Sequence, residues 1–349
     1  MHEQCAFEVQ YLGLPELAGR AESWWDDVLG VAHFSASPAG RSFGSVPVAE
    51  VLISPLGDAA GVCEVWRTPG PMRSGRVGAV HYRAGRHLLF GCVTVPEIAA
   101  PHRNGGDVPS PLRRATTQAY AGIFSVLDSL GYPHLMRVWN YLSDITADTA
   151  EGERYWQFNS ARQLSFRARN RPVADNVPAA SALGTRSGNP LVIYFLASPG
   201  AAKPIENPRQ VSAFDYPARY GPHSPTFSRA TLLDQHLGCP LLVSGTASIV
   251  GHETVHTDDV VAQTRESLTN ISLVIDEANR VVGHRQYAPE SLAYKVYVRH
   301  SGDLAAVTAE VHRAVGHAAL VTYLQADVCR RDLLVEIEAT GAGADRQRA

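Results

Sequence analysis

Lysine is nearly missing: the 349-residue chain has it only at Lys203 and Lys295, so its 31 basic residues are almost all arginine. Lysine clusters that hold phosphate as point charges are thereby excluded. A local anion site must consist of guanidinium forks, which match carboxylates in two-point geometry. Net charge is small as well, −3 from 34 acids and 31 bases. That balance gives no electrostatic footprint for nucleic acid or an anionic membrane and leaves a small ligand as the default partner. No run reaches transmembrane length, and the N-terminal MHEQCAFEVQYLGLPEL carries acids where a secretory signal carries bases. Cysteine is sparse: Cys5, Cys63, Cys92, Cys239 and Cys329 are odd in number, scattered and without a C-x-x-C pair. This argues against a cysteine zinc site and for a reducing, cytoplasmic setting. What remains, 45% hydrophobic and 19% charged residues, describes a soluble globular chain long enough for two domains.

The C-terminal half alternates element types. HLGCPLLVSGTASIV reads as a buried strand, and Thr257 or Asp258 can cap a helix over about 258–278 with Val261, Leu268, Ile271 and Ile275 on one face. LAYKVYVRH is a strand, about 303–317 a second helix, and ALVTYLQADV and DLLVEIEAT two more strands. The N-terminal half repeats the order: RHLLFGCVTV, a helix in SPLRRATTQAYAGIFSVLDSLG opened by Ser110 and Pro111, HLMRVWNYL, a helix in TAEGERYWQFNSARQLSF, then SALGT and PLVIYFLAS. The chain therefore reads as a duplicated α+β unit, residues 1–200 and 201–349, with mixed sheets and helices on one face. Aligning PLVIYFLAS with LLVEIEATG sets Glu336 opposite Ile193 and Glu338 opposite Phe195, so the second copy alone carries acids. Strand alternation turns Val335 and Ile337 to one face and Glu336 and Glu338 to the other, where a second domain can pack or solvent can lie.

Several motifs invite chemistry. His252-Glu253-Thr254-Val255-His256 matches the H-E-x-x-H string of zinc proteases, but it lies in a strand-to-helix connection where two histidines are not one helical turn apart. The segment 206–233, ENPRQVSAFDYPARYGPHSPTFSRATLL, interleaves Phe214, Tyr216, Tyr220 and Phe227 with Arg209, Arg219 and Arg229. It offers forks for carboxylates and flat surface for a ring, or else is an ordered linker. In ERYWQFNSARQLSF helical spacing favours Trp156 and Phe158 as core and Arg154, Gln157, Asn159 and Arg162 as surface. Cys329 beside Arg330 and Arg331 is either a thiol of lowered pKa or a small buried residue.

GPHSPTFSRA, LLVSGTASI, VAQTRESLTNISLVIDEA and VEIEA occur in the order of four motifs of the YjgF/Rid superfamily, so residues 215–340 resemble that superfamily, whose fold is shared with the trimeric chorismate mutases. Where its imine deaminases place a carboxylate-gripping arginine this chain has Val321, which argues against imine deamination. The two-unit length, YPARYGPHSPTFSRAT and CRRDLLVEIE together resemble the chorismatases over most of the chain. That resemblance implies cleavage of the enolpyruvyl ether of chorismate to pyruvate and either 3-hydroxybenzoate or a dihydroxycyclohexadiene carboxylate, with no metal or organic cofactor. It implies Glu336 as the acid that protonates the vinyl ether, with Glu338 in reserve. Gly245 and Cys329 match the pair that marks 3-hydroxybenzoate formation by an intramolecular arene-oxide route. Arg162, Arg219, Arg229, Tyr216 and Tyr220 are the expected substrate contacts. A hydrolytic chorismatase and a non-catalytic ligand-binding relative remain as alternatives, and the assembly, monomer or trimer, is open.

Overall fold

Duplication predicts two sheets of one strand order. The computed structural model, which describes residues 7–57, 61–99, 109–233, 238 and 240–341, contains them. In the first sheet, β6 (Arg73–Val77), β7 (Val80–Ala84) and β8 (Leu89–Val95) precede β9 (His134–Ser143), β10 (Ala179–Thr185) and β11 (Leu191–Ser198), in the order β6-β7-β8-β11-β9-β10. In the second, β12 (Lys203–Ile205), β13 (Ala230–Leu232), β14 (Leu241–Thr246), β15 (Ala293–Val298), β16 (Leu320–Gln325) and β17 (Val335–Gly341) are ordered β12-β13-β14-β17-β15-β16. In both, the last strand inserts antiparallel between two earlier ones, and the parallel pair β9/β10 or β15/β16 is joined by a helix. Cys5, Cys239 and the strand start at 236–237 lie outside the described residues.

Local chemistry fixes the helices. In α1 (Pro111–Leu130) the Ser110 Oγ accepts the Arg113 N–H at 3.3 Å, Pro111 fills the first turn, and Gly131 at φ 77° ends it. α2 (Arg154–Ala168) starts five residues later than the sequence suggests, because Asp148–Thr149 and Gly152–Glu153 form a tight hairpin that Gly152, at φ 92°, permits. α3 (Val260–Val282) is capped by Asp259, which accepts from the Ala262 N–H at 2.9 Å, rather than by Thr257 or Asp258. α4 (Leu304–Val315) packs beside it. Each helix pair covers one face of its sheet with an apolar core, Ile123, Phe124, Ile193 and Phe195 in the first and Leu268, Ile271, Val335 and Ile337 in the second. Among the described residues no helix is long and apolar enough to cross a membrane.

The opposite faces bury a shared core. The first residues, to which the repeat assigns no element, make a separate sheet of β1 (Glu8–Gly13), β2 (Val28–Ser35), β3 (Val48–Val51) and β5 (Gly61–Arg67), while β4 (Ser54–Pro55) extends the second sheet beside β16. Phe34, Trp66, Tyr141, Tyr194, Leu242 and Tyr297 meet there from all three sheets. At the seam between the repeats, hydroxyls supplement isolated backbone bridges at Ala179/Ser228 and Gly184/Asp327: Thr231 Oγ1 accepts from the Ala179 N–H at 3.0 Å and Ser244 Oγ from the Ala180 N–H at 2.9 Å. Glu336 and Glu338 face this side, away from the helices, while Ile193 and Phe195 face helices. The pairing of those residues across the repeats is thus one residue out of register, and a one-residue slip exchanges faces.

Candidate active site

The site begins with a misfit between two strands. Pairing of β14 with β17 shifts between Val243 and Thr246, so Ser244 and Gly245 leave the regular ladder. A Cβ on Gly245 would overlap Glu336 Oε1 and come within 2.9 Å of Ser181 Oγ, so a larger residue would displace this carboxyl from its present place. Glu336 is 4% exposed. Burial is the main cause that pushes its carboxyl up to about 8, reinforced by the charge of Glu338 and opposed by Arg137. At neutral pH it carries a proton.

Glu336 lines a cavity of about 330 Å³ at the seam. The expected acid Glu336, the pair Gly245 and Cys329, and the expected substrate contacts Arg162, Arg219, Arg229, Tyr216 and Tyr220 all line it. Arg162 comes from α2, where its Nε donates to Tyr120 Oη at 2.7 Å and Nη1 to the Thr226 carbonyl. Among the described residues its Nη2 is buried without a partner, as is Asn159 Nδ2 on the same helix face. Arg229 donates from Nη2 to the Val211 carbonyl at 2.8 Å and to Tyr216 Oη at 2.9 Å, leaving Nε unpartnered. Three buried N–H donors without partners around one cavity call for an anionic ligand.

The loop supplies the rim. Arg330 stacks 4.1 Å from the Tyr220 ring centre and donates to the His252 carbonyl at 3.0 Å. The side chain of Arg219 is 54% exposed and bonds Glu253 at 2.7 Å and His252 Nδ1 at 2.9 Å, so it guards the mouth rather than the floor. His252–His256 therefore forms a short hairpin and turn instead of a helix: His252 turns to Arg219 and Tyr220, His256 to Glu266. The cavity holds five arginines against three carboxyl groups, and burial raises the pKa of two of those, Glu153 and Glu336. Its field favours a compact anion.

Two sequence expectations change. Cys329 is not activated by its arginine neighbours: burial, then the nearby Glu336, push the thiol up to about 12, and Arg331 turns outward to Asp148 at 2.5 Å. It is a neutral, half-buried part of the wall. The polar residues of α2 are not surface, since Gln157, Asn159, Ser160, Arg162 and Gln163 are all buried. Sequence reasoning left Asn159 on the surface and did not place Tyr155, Ser181 or Arg330 in the site, yet all four share the cavity lining. A signal was there: RYWQFNSARQ lacks an apolar stripe yet carries aromatics all round, the mark of a helix with a buried polar face.

Glu338 does not share the cavity. Its Oε1 accepts from Lys295 Nζ at 2.7 Å and Trp139 Nε1 at 2.8 Å, its Oε2 from Arg137 Nη2 and Ser181 Oγ, each at 2.7 Å. Burial alone would raise this carboxyl, but Lys295 and Arg137 hold it below the usual carboxylate range. A carboxylate with both oxygens occupied has no proton to give, so it is no reserve acid.

Comparison with known proteins agrees with this geometry. Residues 64–197 match the family described as chorismatase FkbO/Hyg5-like, N-terminal. The chain is 40% identical over 286 residues to a 3-hydroxybenzoate synthase of Streptomyces hygroscopicus, covering 79% of this chain and 80% of that one. It is 36% identical to a chorismatase of Streptomyces rapamycinicus over 97% of both chains. A crystal structure of a chorismatase superposes with a TM-score of 0.83 at 31% identity, covering 97% of this chain and 99% of that one.

Proposed function

Because this chain belongs to the chorismatase family, we propose that it cleaves chorismate to pyruvate and 3-hydroxybenzoate, with Glu336 as the acid. The observation that carries the reading is a carboxyl held protonated to about pH 8 in a cavity of unpartnered guanidinium and amide donors. Chorismate has two carboxylates on a compact ring system and an acid-labile vinyl ether. Arg162 with Asn159 suits one carboxylate and Arg229 with the rim arginines the other, while Tyr216 and Tyr220 offer ring surface.

Glu336 gives its proton to the terminal carbon of the enolpyruvyl group. The ring carbon–oxygen bond then breaks with its electrons going to oxygen, and the side chain leaves as pyruvate. The adjacent ring hydroxyl attacks the vacated carbon and returns its proton to the Glu336 carboxylate. The epoxide so formed opens and loses a ring proton to give 3-hydroxybenzoate. No water is consumed, which fits a wall of Ala247, Ile249 and the neutral Cys329 thiol.

Incubation with chorismate, with pyruvate followed by lactate dehydrogenase and the aromatic product by chromatography, tests the reading. Equal amounts of pyruvate and 3-hydroxybenzoate are expected, and Cys329→Ala should divert product toward the diene diol. A wild-type product that is diene diol alone would replace this reading with the hydrolytic one. No pyruvate at all would leave a ligand-binding protein.

A further inference from the structure

Glu338 belongs to a cluster that a stable core does not need. Lys295 Nζ bridges Glu338 to Glu64 Oε1 of the N-terminal sheet at 2.8 Å and to Tyr194 Oη at 2.9 Å, and Tyr194 Oη donates to Glu64 Oε2 at 2.6 Å. With Arg137 this makes two cations and two anions, none more than 4% exposed. Buried ion clusters are often no more stable than the apolar packing that could replace them, so their retention asks for another role.

The cluster leads straight to Glu336. Glu338 is one alternation step along the same strand face, about 7 Å away. Ser181 Oγ accepts from Arg137 Nη2 at 2.6 Å and from the Gly245 N–H at 2.9 Å while donating to Glu338. The ion cluster therefore fixes the backbone wall against which the Glu336 carboxyl lies.

We propose that Glu338 and Arg137 are positioning residues for the reaction proposed above: Glu338 keeps the proton on Glu336, Arg137 limits how firmly it is kept, and Ser181 holds Gly245 in place. The inference rests on the reading of Glu336 as the acid. Besides Glu338 on its own strand and Arg137 on β9, the charged and titratable groups around Glu336 are Glu153, Tyr155 and Arg162 from α2 and its start, Tyr216, Arg219, Tyr220 and Arg229 from the 206–233 loop, and Cys329, Arg330, Arg331 and Asp332 before β17. Burial raises the Tyr155 phenol and the Cys329 thiol away from neutrality, and it raises the Glu153 carboxyl as well. The alkaline limb is assigned to Glu336 as the acid of the reaction proposed above.

The test is the pH dependence of kcat/KM for pyruvate release, from roughly pH 5.5 to 9.5, in the full chain. The wild-type limb should fall near pH 8. Glu338→Gln should move it to lower pH by about one unit or more, and Arg137→Met should move it up, while Arg137→Lys leaves it in place. If Glu338→Gln does not fold, the two Arg137 variants decide alone. Loss by one factor at every pH, with the limb unmoved, would reduce the cluster to packing and overturn the inference. Glu336→Gln measured alongside separates the two claims: activity there sinks the acid assignment, whereas a dead Glu336→Gln with unmoved limbs elsewhere sinks only the tuning.

Discussion

Strand β11 of the first sheet and β17 of the second hold the same central place, yet away from their helices β11 presents Tyr194 and Leu196 where β17 presents Glu336 and Glu338. The helices differ in a complementary way. α4, the counterpart of α2, buries Val307, Val311 and Val315 beside Glu310, whereas α2 buries Gln157, Asn159 and Arg162. The first repeat thus supplies two of the three unpartnered donors, on Asn159 and Arg162, and the second supplies Arg229 and the acid. Neither encloses a complete site, and the cavity forms only where the edge strand β10 meets β14. Division of labour between copies explains why the seam is sealed by hydroxyl-to-backbone bonds: it must be fixed in place without being filled.

Removing the first repeat's contribution should do the most damage. Arg162→Met strips a buried guanidinium from the anion site and should lower kcat/KM for pyruvate release by about 10²–10³-fold, mostly through KM, as for a desolvated charged partner. A loss below about fivefold in steady-state kinetics would mean that α2 only packs. On the second repeat, Gly245→Ala should push the Glu336 carboxyl aside and lower kcat by about 10–100-fold with KM little changed, the usual price of misplacing a reacting group.

Stability should move the other way. The folded-state pKa of Glu336 is raised from 4.5 to about 8, so the folded chain keeps a proton that the unfolded chain releases. Stability is therefore unaffected below the lower value and falls as pH rises through this window. Glu336→Gln should gain about 1–3 kcal/mol near pH 8 and little near pH 4, read as a pH-dependent rise in Tm. An unchanged Tm difference across that range would contradict the burial argument. The smallest effect belongs to the rim: Arg219→Ala, whose pair with Glu253 is solvent-exposed, should change KM by less than about fivefold.

Much of this was legible in the sequence because periodicity and caps are local. The repeated element order, the helix opened by Ser110 and the face shared by Glu336 and Glu338 follow from short stretches of chain. What escaped depends on partners far away. Arg162 and Asn159 look solvated until the loop 206–233 folds over them, and Lys295, one of two lysines, meets Glu64 only across more than 200 residues. The register between the repeats slipped because the hydrophobic texture of LVIYFLAS is nearly uniform, and all eight residues are buried. For Cys329, adjacency in sequence to Arg330 and Arg331 suggested a field that the folded chain directs elsewhere.

The central claim is that Glu336 of the second repeat acts as the acid on a substrate held between the two repeats. Pyruvate release by Glu336→Gln, measured at pH 7 with chorismate in excess and folding checked by circular dichroism, tests it most directly. The rate is predicted to fall by about 10³-fold or more while the variant still binds the substrate. A folded variant that releases pyruvate at near the wild-type rate would contradict the account.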